Sequence, residues 1–153
     1  MGWTNSKIMA APIEAILEGT AMDLDTDTFK IALYTNAITP DNTVALANAA
    51  YDVDQWGTAN EVYDGTNWDQ AGEPLTGVTS GLTGAVYKFD ATDTPQGGAT
   101  CTLANVYGGF VYDDTVAGDY GLAYLYFGGV QTVTGGTFTV QYAGTGIAQL
   151  TMT

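Results

Sequence analysis

Apolar and polar positions alternate along most of this chain, and glycine pairs interrupt the alternation. In residues 28–35, Phe29, Ile31 and Leu33 fall on one side of an extended segment, with Lys30, Ala32 and Tyr34 on the other. That period of two predicts a β-strand. Residues 83–90 repeat it, with Ala85, Tyr87 and Phe89 opposing Val86 and Lys88. Further strands are predicted at 100–104, 106–112, 120–127, 136–142 and 146–152, and a weaker one at 61–63. Residues 74–81 are ambiguous, because Leu75 and Val78 are their only large apolar side chains. Asp64-Gly65, Gly97-Gly98, Gly128-Gly129 and Gly135-Gly136 lie between apolar runs, where tight turns are expected. Residues 143–146 are placed to close a final hairpin.

The long exception to this rhythm is the segment 6–18. Ile8, Met9, Ile13, Ile16 and Leu17 recur at helical spacing, and Gly19 stands where a helix would stop. Pro12 either sits in the first turn of a shorter helix or kinks a longer one. A second, small and peripheral helix is predicted at 43–50, capped by Asp41 or Asn42 after Pro40. About seven to nine short strands at this spacing predict a mainly β fold. The expected architecture is an antiparallel β-sandwich or jelly-roll-like barrel with a short N-terminal helix. No repeat or low-complexity linker divides residues 1–153, so a single β-rich domain is expected, with residues 1–20 as a candidate docking segment.

Charge narrows the choice of partners. Seventeen acidic residues face only Lys7, Lys30 and Lys88, and the net charge is -14. Nucleic acid is disfavoured because phosphate binding needs a clustered basic surface, and anionic membranes are disfavoured likewise. Histidine is absent, which removes Ser-His-Asp and Cys-His catalysis and imidazole metal ligands. Without arginine there is no bidentate clamp for phosphate or carboxylate. Cys101 is the only cysteine and alternates with Thr100 and Thr102, as a small buried hydrophobe would. The first twenty residues hold one lysine, and Pro12 and Glu14 break their apolar run, which does not fit a secretory signal. Synthesis in a cytoplasm is expected, and no cofactor is.

Several blocks carry a resemblance. The run from Asp23-Leu24-Asp25-Thr26-Asp27 through Phe29-Lys30-Ile31-Ala32-Leu33-Tyr34 resembles the opening of small structural proteins of tailed bacteriophages. Asn60-Glu61-Val62, Val106-Tyr107-Gly108-Gly109-Phe110-Val111-Tyr112-Asp113-Asp114 and Phe127-Gly128-Gly129-Val130-Gln131 follow in matching order. So do Gly136-Thr137-Phe138-Thr139-Val140-Gln141-Tyr142 and the stretch from Gly146-Ile147-Ala148 to Leu150-Thr151. Such proteins serve as capsid decoration, head-fibre or minor tail proteins. The resemblance implies a non-enzymatic virion component on the capsid surface, with the major capsid protein as partner. A homo-oligomer is expected, a trimer fitting the three-fold positions of a capsid. The alternative is a tail or head-fibre module that binds host surface glycans.

Candidate sites follow from the same residues. Asp23, Asp25 and Asp27 resemble a calcium loop, but Thr28 and Tyr34 stand where an EF-hand needs Gly and Glu. Asp113 and Asp114, with Asp119 nearby, form a second acidic loop. Both are weak Ca²⁺ candidates beside the plainer expectation of solvated turns whose aspartates bond local amides. Tyr120, Leu122, Tyr124 and Tyr126 are expected on one strand face, with Ala123, Leu125 and Phe127 on the other. Trp3, Ile8, Tyr120, Tyr124 and Tyr126 are therefore candidate interface residues. Trp56 and Trp68, in the loop 54–74, are the candidates for stacking on a glycan.

Overall fold

The computed structural model describes residues 2–153, apart from the side chains of residues 95–99. Its elements are β1 (Lys7–Ile8), α1 (Ala10–Leu17), β2 (Phe29–Tyr34), β3 (Glu61–Val62), β4 (Glu73–Pro74), β5 (Thr76–Thr83), β6 (Val86–Thr92), β7 (Thr94–Asp113), β8 (Gly121–Val140) and β9 (Ala148–Thr151). The main sheet runs β1-β8-β7-β2-β3, with β4 also paired to β2, and a smaller sheet runs β5-β6-β9. Every pairing is antiparallel. The fold is mainly β and sandwich-like, with a short helix near the N-terminus.

The alternation in β2 places the main sheet between two cores. Phe29, Ile31 and Leu33 join Val111 and Ala123 on one face, with Trp68, Phe89, Leu103 and Phe138 packed over them. Ala32 and Tyr34 join Phe110, Tyr112 and Tyr124 on the other, beneath Trp3, Met9, Ile38 and Trp56. Phe29 meets Phe89 of the small sheet edge-on at 4.9 Å. That contact ties the two sheets together.

Helix α1 takes the shorter of the two forms expected, with Pro12 in its first turn. Lys7 and Ile8 pair with Tyr124 and Ala123 of β8, so the first part of the predicted helix is strand. Pro12 lies in the first helical turn, where its missing N–H removes no intrahelical bond. Gly19, at φ 67°, donates to Ile16 O at 3.0 Å, and Thr20 N–H donates to Ala15 O at 2.9 Å. These reverse bonds form a Schellman stop, which needs a left-handed residue at Gly19. The helix predicted at 43–50 is a single 3₁₀ turn, Leu46–Asn48. Ala49 and Ala50 after it are buried rather than peripheral, and Ala50 bridges to Tyr120.

Several predicted turns lie inside strands. Residues 100–104 and 106–112 belong to one twenty-residue strand, β7, and Gly128-Gly129 and Gly135-Gly136 lie within β8. The glycines mark bulges: the register moves from Val106↔Gln131 to Gly108↔Tyr126, so residues 127–130 of β8 stand against Tyr107 alone. Gly128 and Gly129 take φ of 77° and 146° there. A bulge re-aims a strand where a turn would end it. The turn expected at Gly97-Gly98 lies outside the fully described residues. Ala143 and Gly146 do close a turn, with Gly146 N–H to Ala143 O at 2.7 Å. However, it hands the chain from β8 to β9, which pairs with β6 in the other sheet. The ambiguous stretch 74–81 forms most of β5, which meets β6 across Gly84-Ala85.

Candidate functional site

The two acidic loops come together at one end of the main sheet. Asp114 N–H donates to Thr28 O at 2.8 Å, and Thr28 N–H to Thr115 Oγ1 at 2.8 Å. Within the first loop, Asp25 N–H donates to Asp23 Oδ1 and Asp23 N–H to Asp27 Oδ2, at 2.9 and 2.6 Å. Asp23 and Asp25 remain exposed. Asp114 pairs with Lys30 at 3.0 Å. Asp113 is fully buried: its Oδ1 accepts from Thr115 and Val116 N–H, while Oδ2 finds no donor among the described residues. Burial pushes the Asp113 carboxyl up to about 6, and contact with the Asp27 carboxyl adds to the rise. Two carboxyls in contact share a proton more readily than they share two negative charges. Among the described residues, no group of three or more His, Cys, Asp or Glu could hold a metal ion. The five Ca²⁺ candidates are thus brought to one region without forming a chelating set.

The aromatic candidates are placed differently from expectation. Trp56 and Trp68 are fully buried, so neither can lay its ring on a glycan. Trp56 stacks on Phe110 at 4.0 Å and meets Tyr34 edge-on, whose hydroxyl donates to Trp56 O at 2.6 Å. Trp68 packs edge-on against Phe138 at 5.6 Å. Trp3 is also buried, and its Nε1 donates to Thr35 O at 2.9 Å. The N-terminal segment thus docks Trp3 onto its own chain, closing the second core. Tyr120, just before β8, does not share a face with Tyr124 and Tyr126: the register slips between Val111↔Ala123 and Tyr112↔Gly121. Leu122 is the extra residue, and beyond it the facing reverses. Leu122 and the half-buried Tyr120 pack on the first core, Tyr124 and Tyr126 on the second. Of these tyrosines, Tyr124 is buried, and Tyr120 and Tyr126 are half-buried.

A nest for a carboxylate went unforeseen. Asp64 Oδ1 accepts from the N–H groups of Thr66, Asn67 and Trp68 at 3.0, 2.7 and 2.9 Å, and Oδ2 from Thr102 N–H at 3.1 Å. Burial alone would raise this carboxyl, but the four backbone donors override it and hold it well below the usual carboxylate range. The nest fixes the 64–68 turn, carries Trp68 into the core and ties it to β7. Cys101 beside it is buried, and its thiol is pushed up to about 11 by burial and the nearby Asp64. A thiol in that state is inert.

An apolar groove of about 700 Å³ lies between α1 and the small sheet. Ile13, Ile16 and Leu17 of α1 form one wall, and Leu82, Tyr87, Phe89, Ala148 and Leu150 form the other. Ile8 lies at its edge, the one interface candidate that borders it. Leu17 is 76% exposed, Leu82 60%, Leu150 50% and Met152 49%.

No protein-family model matches the chain, and neither a curated protein nor a solved structure matches it significantly.

The groove was hidden from local pattern because its walls come from four separate segments. The pairing of β9 with β6, rather than with β8, creates the second wall. Only the apolar content of residues 82–89 and 147–152 hinted at it. Among the described residues, no helix is long and apolar enough to cross a membrane.

Proposed function

We propose that this chain is a non-enzymatic structural protein of a tailed-phage virion that decorates the capsid by binding the major capsid protein. The observation that carries the reading is the cluster of exposed apolar side chains, Leu17, Leu82, Leu150 and Met152, on a body of net charge -14. Large apolar groups gathered in one place on an otherwise charged surface are the mark of an assembly contact. The ordered phage-like blocks support it from a second side, since they fall on β2, β3, β7 and β8 of the main sheet and on β9, one edge of the small sheet. The glycan-binding alternative loses its stacking residues with the burial of Trp56 and Trp68.

The test is addition of the purified chain to phage heads lacking it, followed by copy counting and particle imaging. Saturable binding at hundreds of ordered positions, with heads that better survive heat or low salt, is the expected result. A handful of copies at a tail tip, or no binding to heads, would overturn the reading.

A further inference from the structure

We propose that the groove between α1 and the β5-β6-β9 sheet receives an apolar segment of a partner protein flanked by lysine or arginine. This rests on the assembly reading above and names the face and the partner chemistry. The register supplies the first argument. Leu82 pairs with Tyr87, Tyr87 with Leu150, and Phe89 with Ala148, so one face of the small sheet carries a continuous apolar ladder. Opposite it stands the apolar side of α1, with Ile13, Ile16 and Leu17. Protein interiors close such faces to crystal-like density. Here they confront each other across about 700 Å³.

The exposed side chains point to the same place. Among the described residues, Leu17, Tyr63, Leu82, Val130, Leu150 and Met152 are the exposed large hydrophobic ones, and four of these six line the groove. A small apolar ligand seated between the walls would leave that rim in water, whereas a chain segment covers it. β9 is the last strand of its sheet, so its outer backbone edge is open to the same segment.

Charge selects the occupant. Asp23 lines the groove, Glu14 of α1 and Glu18 at the helix C-terminus are exposed next to it, and no lysine is among the lining residues. A second copy of this chain, carrying -14 of its own, would set carboxylates against carboxylates across a two-fold contact. An anionic lipid surface meets the same repulsion. A partner with basic residues at either end of its apolar stretch gains from both rim and floor.

The experiment uses the full chain and two synthetic peptides with one apolar sequence, flanked by lysines in one and glutamates in the other. The lysine peptide is expected to bind and to shift the methyl NMR signals of Leu17, Leu82, Leu150 and Met152. Its affinity should fall about tenfold between roughly 0.05 and 0.5 M NaCl, as screening predicts. Leu82→Asp and Leu150→Asp, both at exposed positions, should weaken binding at least about tenfold, with unchanged melting curves showing that the fold is kept. Equal binding of the two peptides, shifts away from the groove, or self-association abolished by Leu150→Asp would each overturn the proposal. Wild-type binding to heads that survives Leu150→Asp would also overturn it while sparing the decoration reading. Intact peptide binding without head binding would do the reverse.

Discussion

Asp64 and Asp113 are both held by backbone N–H groups, yet their surroundings push their protons in opposite directions. The donors around Asp64 favour its anion, so its folded form resists protonation. Its stabilisation is present above the ordinary aspartate range and is lost as pH falls below about 4. Asp64→Ala should cost about 2 kcal/mol at neutral pH, because charge-assisted bonds to three turn amides and Thr102 disappear together. Urea melts of both proteins between neutral pH and pH 3 would check this. A variant as stable as the parent at neutral pH would refute the role of the nest. Asp113 behaves conversely, because burial and Asp27 raise its folded carboxyl to about 6. The proton held there stabilises the fold fully below the ordinary aspartate range, and that contribution is lost as pH rises through about 6. Asp113→Asn keeps an acceptor for Thr115 and Val116 and offers Asp27 a donor in place of a charge. It should raise stability above pH 7 by about 1–2 kcal/mol and flatten the slope below it. Lower stability of the asparagine variant at pH 7.5 would show that the carboxylate is tolerated as an anion.

At the scale of elements, the small sheet is held to the main one through few large side chains. Phe89 is nearly fully buried and meets Phe29, whereas Leu82 and Leu150 on the same sheet, and Met152 just past β9, line the open groove. Phe89→Ala should therefore cost about 3–4 kcal/mol. Amide exchange in β6 and β9 should accelerate more than in β2, and uniform acceleration would show the two sheets to be one cooperative unit. Strand β7 has a different sensitivity. A Cβ on Gly108 would stand 2.4 Å from Leu125 O and 2.5 Å from the Trp3 ring, so Gly108→Ala has to expel Trp3 or part β7 from β8. Trp3 fluorescence should shift to the red, with about 2–3 kcal/mol lost. What local sequence carries follows the same division. The facing of Phe29, Ile31 and Leu33 against Lys30, Ala32 and Tyr34 was legible, because β2 is regular and side-chain period alone decides it. Residues 120–126 misled, because one extra residue at Leu122 reverses the facing, and nothing within the strand announces a bulge. Gly128-Gly129 misled for a related reason: positive φ is demanded equally by a turn and by a bulge. Trp56 and Trp68 looked like exposed loop residues because loops are ordinarily surface features. Here the loops fold over the sheet faces and deliver those rings as its second layer.

For the whole molecule, the acidic surface was legible in sequence and the groove was not. Net charge needs no fold to be counted, whereas the groove depends on β9 crossing to β6, a choice no window of residues encodes. The charge has its own consequence for stability. Of the three lysines, Lys30 and Lys88 are spent on Asp114 and Asp90, at 3.0 and 2.7 Å. Most of the seventeen carboxylates therefore face water without a cation of their own, and folding brings them closer together. Added salt screens that repulsion, with a Debye length near 30 Å at 0.01 M and about 8 Å at 0.15 M. The melting temperature should therefore climb by several degrees over that range, since about 1 kcal/mol moves a domain of this size by roughly 3 °C. It should then level off once screening is complete. NaCl and Na₂SO₄ compared at equal ionic strength isolate the effect, because screening depends on ionic strength while surface exclusion of sulfate does not. Matching curves at low ionic strength would mark repulsion as the cause. A melting temperature indifferent to NaCl would mean that the carboxylates are already too far apart to oppose folding, and the charge would then matter only for association.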